Sequence, residues 1–154
     1  MRLEIISISN KPTKWEEETL KFYLKQISPI INITFVNIKP APSKNLSIKE
    51  IQTYEEKNIL KRIKPNSLIV SFDIEGKQLD SLQFASFTKR LLSSTKNCYL
   101  IIGGSNGLSK TLLEKSDHII SFSALTFPHK LFKILLIEQI YRSITILQNK
   151  SYHK

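Results

Sequence analysis

Short apolar runs alternate with amphipathic segments along this 154-residue chain. The runs are rich in Ile, Val and Phe, as β-strands are, whereas the segments between them carry apolar residues at helical i, i+3 and i+4 spacing. The five predicted strands cover residues 3–8, 31–38, 68–72, 98–102 and 119–122. Because strands and helices alternate, the pattern predicts one α/β domain over residues 1–154, with a mostly parallel sheet and helices on both faces.

Polar residues mark the starts of several predicted helices. Thr13 with Glu16, and Ser47 with Glu50, have the spacing of capping boxes, in which side chains satisfy the free backbone N–H groups of the first turn. Asp80 predicts the cap of a third helix that extends to about residue 94.

The last predicted helix, which follows Pro128, is apolar around nearly its whole circumference. A helix that is apolar on all sides must be covered on all sides, and one face of a sheet covers only one stripe. We therefore expect a homodimer in which a second subunit covers the rest, with a central helix inside one domain as the alternative.

The charge balance indicates a polyanionic partner. Lys and Arg number 23 against 13 Asp and Glu, so the net charge is +10, and each half of the chain (1–66 and 67–154) carries +5. Nucleic acid is the usual polyanion for such a protein. The excess is spread evenly, with no basic tail or dense block.

Other features predict a cytoplasmic protein. Cys98 is the single cysteine and lies in an apolar run, so we expect a buried thiol rather than a disulfide. The N-terminal apolar run is too short and too polar for a signal peptide, and no run is long enough to span a membrane. No metal site is expected.

The stretch 101–109, IIGGSNGLS, holds three of the four glycines. Its registers do not fit a P-loop, which needs Gly-Lys-Ser/Thr four residues after the first Gly, or a dinucleotide fingerprint, which follows the first strand. A close-approach turn remains, with Ser109 as the cap of the next helix. The ends of the third and fifth strands should lie nearby, and together these loops predict a pocket for a neutral ligand rich in hydrogen-bonding groups.

Four motifs carry a resemblance to a known family: VSFDIEGK (70–77), LIIGGSNGLS (100–109), SFSALTFPH (121–129) and NKSYHK (149–154). Together they resemble the RlmH family, ribosomal RNA large subunit methyltransferase H, in the SPOUT superfamily of knotted methyltransferases. The resemblance extends over the whole chain. It implies a C-terminal trefoil knot, S-adenosylmethionine as cofactor, and methylation at N3 of a pseudouridine in 23S rRNA within the ribosome.

The resemblance also implies site residues. The implied cofactor contacts are Phe72, Gly103, Gly104, Phe122, Ser123, Ala124, Leu125, Thr126 and Phe127. The implied catalytic end comprises Arg142, Tyr152, His153 and Lys154, where Lys154 replaces a common arginine. Our hypothesis is that His153, or a water it orients, removes the N3 proton, that Arg142 and Lys154 hold phosphate or developing charge, and that Tyr152 contacts the base.

Some alternatives remain open. The protein could be a non-catalytic basic α/β module that binds RNA on the ribosome. Asp73 is expected to shape the turn after the third strand rather than to accept a phosphoryl group. His129 could support the cofactor loop or a dimer contact, or be an ordinary structural histidine.

Overall fold

The structure is a computed structural model that describes residues 2–42 and 44–153. The predicted alternation of strands and helices is confirmed. The strands are β1 (Leu3–Ile8), β2 (Ile33–Ile38), β3 (Leu68–Gln78), β4 (Cys98–Ile102) and β5 (His118–Ser121). The helices are α1 (Lys14–Ile27), α2 (Ile48–Leu60), α3 (Ser81–Leu92), α4 (Lys110–Glu114) and α5 (His129–Leu147).

The five strands form one sheet in the order β2-β1-β4-β3-β5, and every neighbouring pair is parallel. The prediction of a mostly parallel sheet is therefore confirmed. All residues of β1 and β4 are buried, as expected for central strands covered on both faces. Because β4, β3 and β5 are adjacent, their carboxyl ends lie side by side at one edge of the sheet.

Helices cover both faces of the sheet. On one face, α1, α3 and α5 pack on a core that includes Ile5, Val70 and Leu100. On the other face, α2 and α4 pack on Ile6 and Ile101. Successive residues of β1 thus point to opposite cores, which is the period-2 geometry of a strand buried on both sides.

The predicted caps at Ser47 and Asp80 are present, and at the start of α1 Glu16 accepts a hydrogen bond from the N–H of Thr13 at 3.3 Å. Ser47 accepts a hydrogen bond from the N–H of Glu50 at 3.2 Å, and Glu50 accepts one from the N–H of Ser47 at 2.8 Å. Asp80 and Gln83 form the same reciprocal pair at the start of α3. These local contacts explain why sequence spacing located the helix starts well.

Helix α5 lies between α1 and α3 and against the sheet. Its residues Leu136, Ile137, Ile140 and Ile144 are buried within the chain. The chain itself therefore covers these positions of α5, while Leu131 and Leu147 of the same helix are exposed. The expected homodimer stays a prediction. The implied knot stays a prediction.

Strand β3 runs six residues beyond its predicted end. Phe72 and Lys77 both pair with Ile120, so residues 73–76 bulge out between two stretches that pair with β5. The last residue of the bulge, Gly76, comes very close to β5, because an added Cβ there would lie 2.6 Å from the backbone carbon of Ile120. Only glycine allows this approach.

The structure also bears on the predicted burial of Cys98 and on the hydropathy of the helices. Cys98 is fully buried, and burial, followed by the nearby Asp117 carboxylate, raises the pKa of its thiol to about 12. The expected buried thiol is confirmed. Within residues 2–42 and 44–153, no helix has both the length and the hydropathy needed to cross a membrane.

Candidate active site

A cavity of about 720 Å³ opens at the carboxyl ends of β3, β4 and β5. This size lies within the range of about 300–1,000 Å³ that is usual for small-molecule sites. Its walls come from the bulge within β3, the glycine loop after β4 and the loop 122–128 between β5 and α5. The three loops that the sequence predicted to meet therefore do so.

The residues implied as cofactor contacts lie together at this cavity, with one exception. The cavity-lining members of that set are Phe72, Gly103, Gly104, Phe122, Ser123, Leu125, Thr126 and Phe127. Ala124 is exposed in the same loop and does not line the cavity.

Aromatic rings support one wall of the cavity. The ring of Phe72 lies 5.3 Å from that of Phe122 and 5.3 Å from that of Phe132, and the last two are 5.0 Å apart, between ring centroids. Phe84 of α3 packs edge-on against Phe122 at 5.3 Å. This cluster joins β3, the loop 122–128 and α5, so it fixes the loop against the core.

The loop after β5 is also held by its own hydrogen bonds. The hydroxyl of Ser121 donates to the carbonyl of Ser123 at 2.9 Å, and the hydroxyl of Ser123 accepts from the N–H of Leu125 at 2.9 Å. Beyond this turn, Leu125 is 72% exposed. The loop thus presents backbone groups and small polar side chains around the cavity.

The glycine loop is packed against its protein neighbours. An added Cβ on Gly103 would lie 3.1 Å from Leu108, and one on Gly104 would lie 2.9 Å from Ile8. The space left by these two glycines is therefore used by Leu108 and Ile8. Gly107 has a φ of +71°, which glycine adopts without strain.

Helix α2 fastens the glycine loop from outside the cavity. Gln52 donates a hydrogen bond to the carbonyl of Asn106 at 2.8 Å, and Glu56 accepts one from Ser109 at 2.7 Å. Ser109 also caps α4, as predicted, by accepting from the N–H of Leu112. A loop tied at several points is preorganised, so a ligand would not have to order it.

Among residues 2–42 and 44–153, Asp73 is the one carboxylate that lines the cavity, and no Lys or Arg of these ranges lines it. Its Oδ1 accepts a hydrogen bond from the N–H of Glu75 at 3.0 Å. Asp73 therefore shapes the turn after Phe72, as the sequence predicted, while its charge lies at the cavity wall.

His129, the first residue of α5, also lines the cavity. Its Nε2 is buried without a hydrogen-bond partner in the described part of the chain. Burial, with the positive charges of Lys133 and Lys130, lowers the pKa of His129, so the ring is neutral at pH 7. A buried ring nitrogen without a partner at a cavity wall fits a site that a polar ligand completes.

The implied catalytic residues gather around Glu138, which the sequence did not single out. Arg142 donates to Oε1 of Glu138 through Nε at 3.1 Å and through Nη2 at 2.6 Å. The hydroxyl of Tyr152 donates to the same oxygen at 3.1 Å, and Nη1 of Arg142 lies 3.4 Å from Nδ1 of His153. Lys154 lies outside the described residues.

The contacts with Glu138 and Arg142 determine the protonation state of Tyr152 and the position of the tail, the segment that follows α5. Burial raises the pKa of Tyr152 to about 12, and the hydrogen bond to Glu138 and its negative charge add to the shift, so the phenol stays protonated. The guanidinium of Arg142 also stacks on the Tyr152 ring, 4.9 Å from the centroid. Tyr152 and His153 are thereby folded back on α5.

The cavity lies beside the start of α5, whereas the cluster around Glu138 and Arg142 lies toward the C-terminal end of the same helix. Phe132 lines the cavity, whereas Arg142 is ten residues further on, which is about 15 Å along a helix axis. Among the described residues, the structure therefore brings the cofactor candidates other than Ala124 to the cavity, and Arg142, Tyr152 and His153 to Glu138, but it does not join the two groups within one chain.

Several lining residues were not assigned by the sequence. They include Ile74, Ile102, Gly107, Ile120, Pro128 and Phe132. Apolar residues such as Phe132 carried no distinguishing signal, because a helix contains many similar positions. Glu138 could have been noticed as a lone acidic residue four positions before Arg142, the spacing of a helical ion pair.

Two comparisons with known proteins fit this arrangement. The family model described as "Predicted SPOUT methyltransferase" matches residues 1–153. A solved structure, that of a probable methylase family protein from Haemophilus influenzae Rd KW20, superposes with a TM-score of 0.52 at 12% sequence identity. The match covers 99% of this chain and 70% of that one. At this identity the likeness concerns the fold.

Proposed function

The chain belongs to the SPOUT methyltransferase family, whose members use S-adenosylmethionine, and from this premise we propose that it methylates N3 of a pseudouridine in 23S rRNA. The proposed substrate is inferred from the resemblance of four sequence motifs to the RlmH family. A net charge of +10 supports an RNA partner.

The cavity carries the proposal of cofactor use. All implied cofactor contacts except Ala124 line it, and its volume suits a nucleoside-sized ligand. The absence of Lys and Arg among its described lining residues disfavours a phosphate-bearing ligand. The partnerless Nε2 of His129 and the polar groups of Ser123 and Thr126 fit a donor rich in hydrogen-bonding groups.

When bound, S-adenosylmethionine supplies a methyl group on a cationic sulfonium. The chain has to hold the acceptor nitrogen in line with that methyl group and provide a route for the N3 proton. Arg142 and His153 are positioned for the second task by Glu138, since Arg142 contacts both. In this arrangement Nδ1 of His153 faces Arg142, so His153 becomes a base when the RNA phosphate or base draws Arg142 away.

The separation of the two groups favours a homodimer. A reacting group about 15 Å away along α5 cannot reach the cavity, because transfer needs the reacting atoms within about 3.5 Å. A second subunit whose tail approaches the cavity of the first would complete the site. Exposed apolar residues on α1 and α5, including Trp15, Phe22 and Leu131, provide a surface for such an association.

The substrate is tested by mass spectrometry of 23S rRNA fragments from a strain that lacks the gene. We expect the methylpseudouridine to disappear and to return with the wild-type gene, but not with His153→Ala. Persistence of the modification in the deletion strain would refute the substrate. Assays of purified protein on free rRNA, large subunits and whole ribosomes then identify the substrate particle.

Calorimetry with S-adenosylmethionine separates an enzyme from a binding module. We expect saturable binding by the wild type and loss of binding in Thr126→Trp, which places a bulky ring at the cavity. Lys150→Ala, a change in the exposed segment after α5, is the matched control and should bind normally. No binding by the wild type would favour a non-catalytic RNA-binding module.

The shared site is tested by mixing two inactive variants. Thr126→Trp damages the cavity and His153→Ala damages the tail. If one subunit supplies each part, a 1:1 mixture after subunit exchange regains about one quarter of wild-type activity, because half of the dimers have one intact site. If each chain uses its own tail, the mixture stays inactive.

A further inference from the structure

The charge of the cavity is opposite to that of the protein. The chain carries +10 overall, yet in the described part of the chain the lining residues include the carboxylate of Asp73 and no Lys or Arg. His129 adds no positive charge because its pKa is lowered and its ring is neutral at pH 7. Such a cavity attracts a cation and repels an anion.

Asp73 is held firmly at this wall. It directly follows Phe72, whose ring is locked in the aromatic cluster, and its Oδ1 accepts the hydrogen bond from the N–H of Glu75. The carboxylate forms no ion pair with any residue among 2–42 and 44–153. Its negative charge is therefore uncompensated by a neighbouring side chain and available to a ligand.

We propose that Asp73 is a specificity-determining residue, whose carboxylate makes the cavity prefer the cationic methyl donor to the neutral product left after transfer. This inference rests on the proposed use of S-adenosylmethionine.

Methyl transfer changes the ligand's charge at one atom. The bond between sulfur and the methyl carbon breaks, its electron pair stays on sulfur, and the methyl group bonds to the acceptor nitrogen, whose proton leaves to a base. The cationic sulfonium thus becomes a neutral thioether, S-adenosylhomocysteine, and every other group is unchanged. A carboxylate at the cavity wall would attract the cationic donor and would lose that attraction when the neutral thioether forms.

The consequence is relief from product inhibition. Donor and product share adenine, ribose and the amino acid group, so contacts to those groups cannot tell them apart. A charged residue at the cavity wall can distinguish donor from product, because it interacts with the sulfonium charge, which the product lacks.

Calorimetry with S-adenosylmethionine and S-adenosylhomocysteine tests this selectivity in wild type and Asp73→Asn. The amide oxygen of asparagine can still accept from the N–H of Glu75, so the turn is retained while the charge is removed. We expect donor binding to weaken about tenfold and product binding to change less than about twofold. Asp73→Ser, which also keeps an acceptor at this turn, serves as a second variant if the first unfolds.

Glu75→Gln is the matched control. It removes the same charge from the same loop, but Glu75 is exposed and does not line the cavity, so solvent screens it. We expect both ligands to bind this variant as they bind the wild type.

The outcomes distinguish two failures. If the wild type binds neither ligand, the proposed cofactor is wrong. If the wild type binds both and Asp73→Asn weakens both equally, cofactor use stands, but Asp73 contacts a group common to both ligands and the selectivity role is overturned. Equal weakening of donor binding in Glu75→Gln would likewise overturn it, because the effect would come from general surface charge.

Discussion

Lys133 and Glu16 form an ion pair, with 2.7 Å between Nζ and Oε1, in which the side chains are 1% and 0% exposed. Nζ of Lys133 also donates to Oδ1 of Asn37 at 2.8 Å, and that oxygen accepts from Ser9 at 2.9 Å. This network joins the first turns of α1 and α5 to the ends of β1 and β2. It therefore fixes the start of α5, where His129 and Phe132 line the cavity.

Removing one partner of this pair should be strongly destabilising. Lys133→Met leaves the Glu16 carboxylate buried without its cation, and we expect the free energy of unfolding to fall by about 3–5 kcal/mol. Urea denaturation measures the change. The double variant Glu16→Gln, Lys133→Met should lose less than the sum of the single losses, because neither charge is left buried alone. Additive losses would contradict a coupled pair.

Close approach at Gly76 should make this position intolerant of a side chain. Gly76→Ala places a Cβ 2.6 Å from the Ile120 backbone, and we expect a loss of about 3 kcal/mol or more in unfolding free energy. Gly107→Asn is the control, because an added Cβ there meets nothing within 4 Å and asparagine tolerates a positive φ. Thermal denaturation of both variants makes the comparison, and equal losses would contradict the packing explanation.

His129 should make stability fall at mildly acidic pH. Its folded-state pKa is lowered from 6.5, so below about pH 6.5 the unfolded chain binds a proton that the folded chain resists. The contribution is complete above that pH and declines as pH falls, by at most about 1.4 kcal/mol per pH unit for one proton. Urea denaturation from pH 7.5 to 5.5 should show this decline in wild type.

The variant His129→Gln isolates that effect. Burial raises the pKa of Glu55, which acts in the opposite sense, but it does so in both proteins. The difference between wild type and variant therefore reports His129 alone. A pH-independent difference would show that the histidine titrates alike in the folded and unfolded chains.

Glu138 should prove necessary for turnover but not for cofactor binding. Glu138→Ala removes the acceptor shared by Arg142 and Tyr152, so we expect methyl transfer to fall at least about tenfold, while calorimetry with S-adenosylmethionine is unchanged. The pKa of Tyr152, raised to about 12 by burial and Glu138, should fall, as measured by NMR of ring-labelled tyrosine. A parallel loss of cofactor binding would indicate damage to the fold instead.

The element order could be predicted because its signals are local. Strand runs such as 98–102 and capping pairs such as Ser47 with Glu50 depend on neighbours within a few residues, and the structure has them where the pattern predicted. The pocket at the strand ends followed from the same order, since ligands bind at the carboxyl edge of a parallel sheet. The family motifs added candidates that strand and helix patterns alone do not identify.

Only the tertiary structure decided contacts between residues far apart in the chain. In the sequence, Lys133 is a charged residue within an otherwise apolar helix, and its partner Glu16 lies 117 residues away. The return of β3 onto Ile120 and the position of α5 between α1 and α3 also depend on how distant elements pack. Hydrophobic periodicity records which residues are buried, because burial depends on amphipathic spacing, but it does not record which distant residue each one meets.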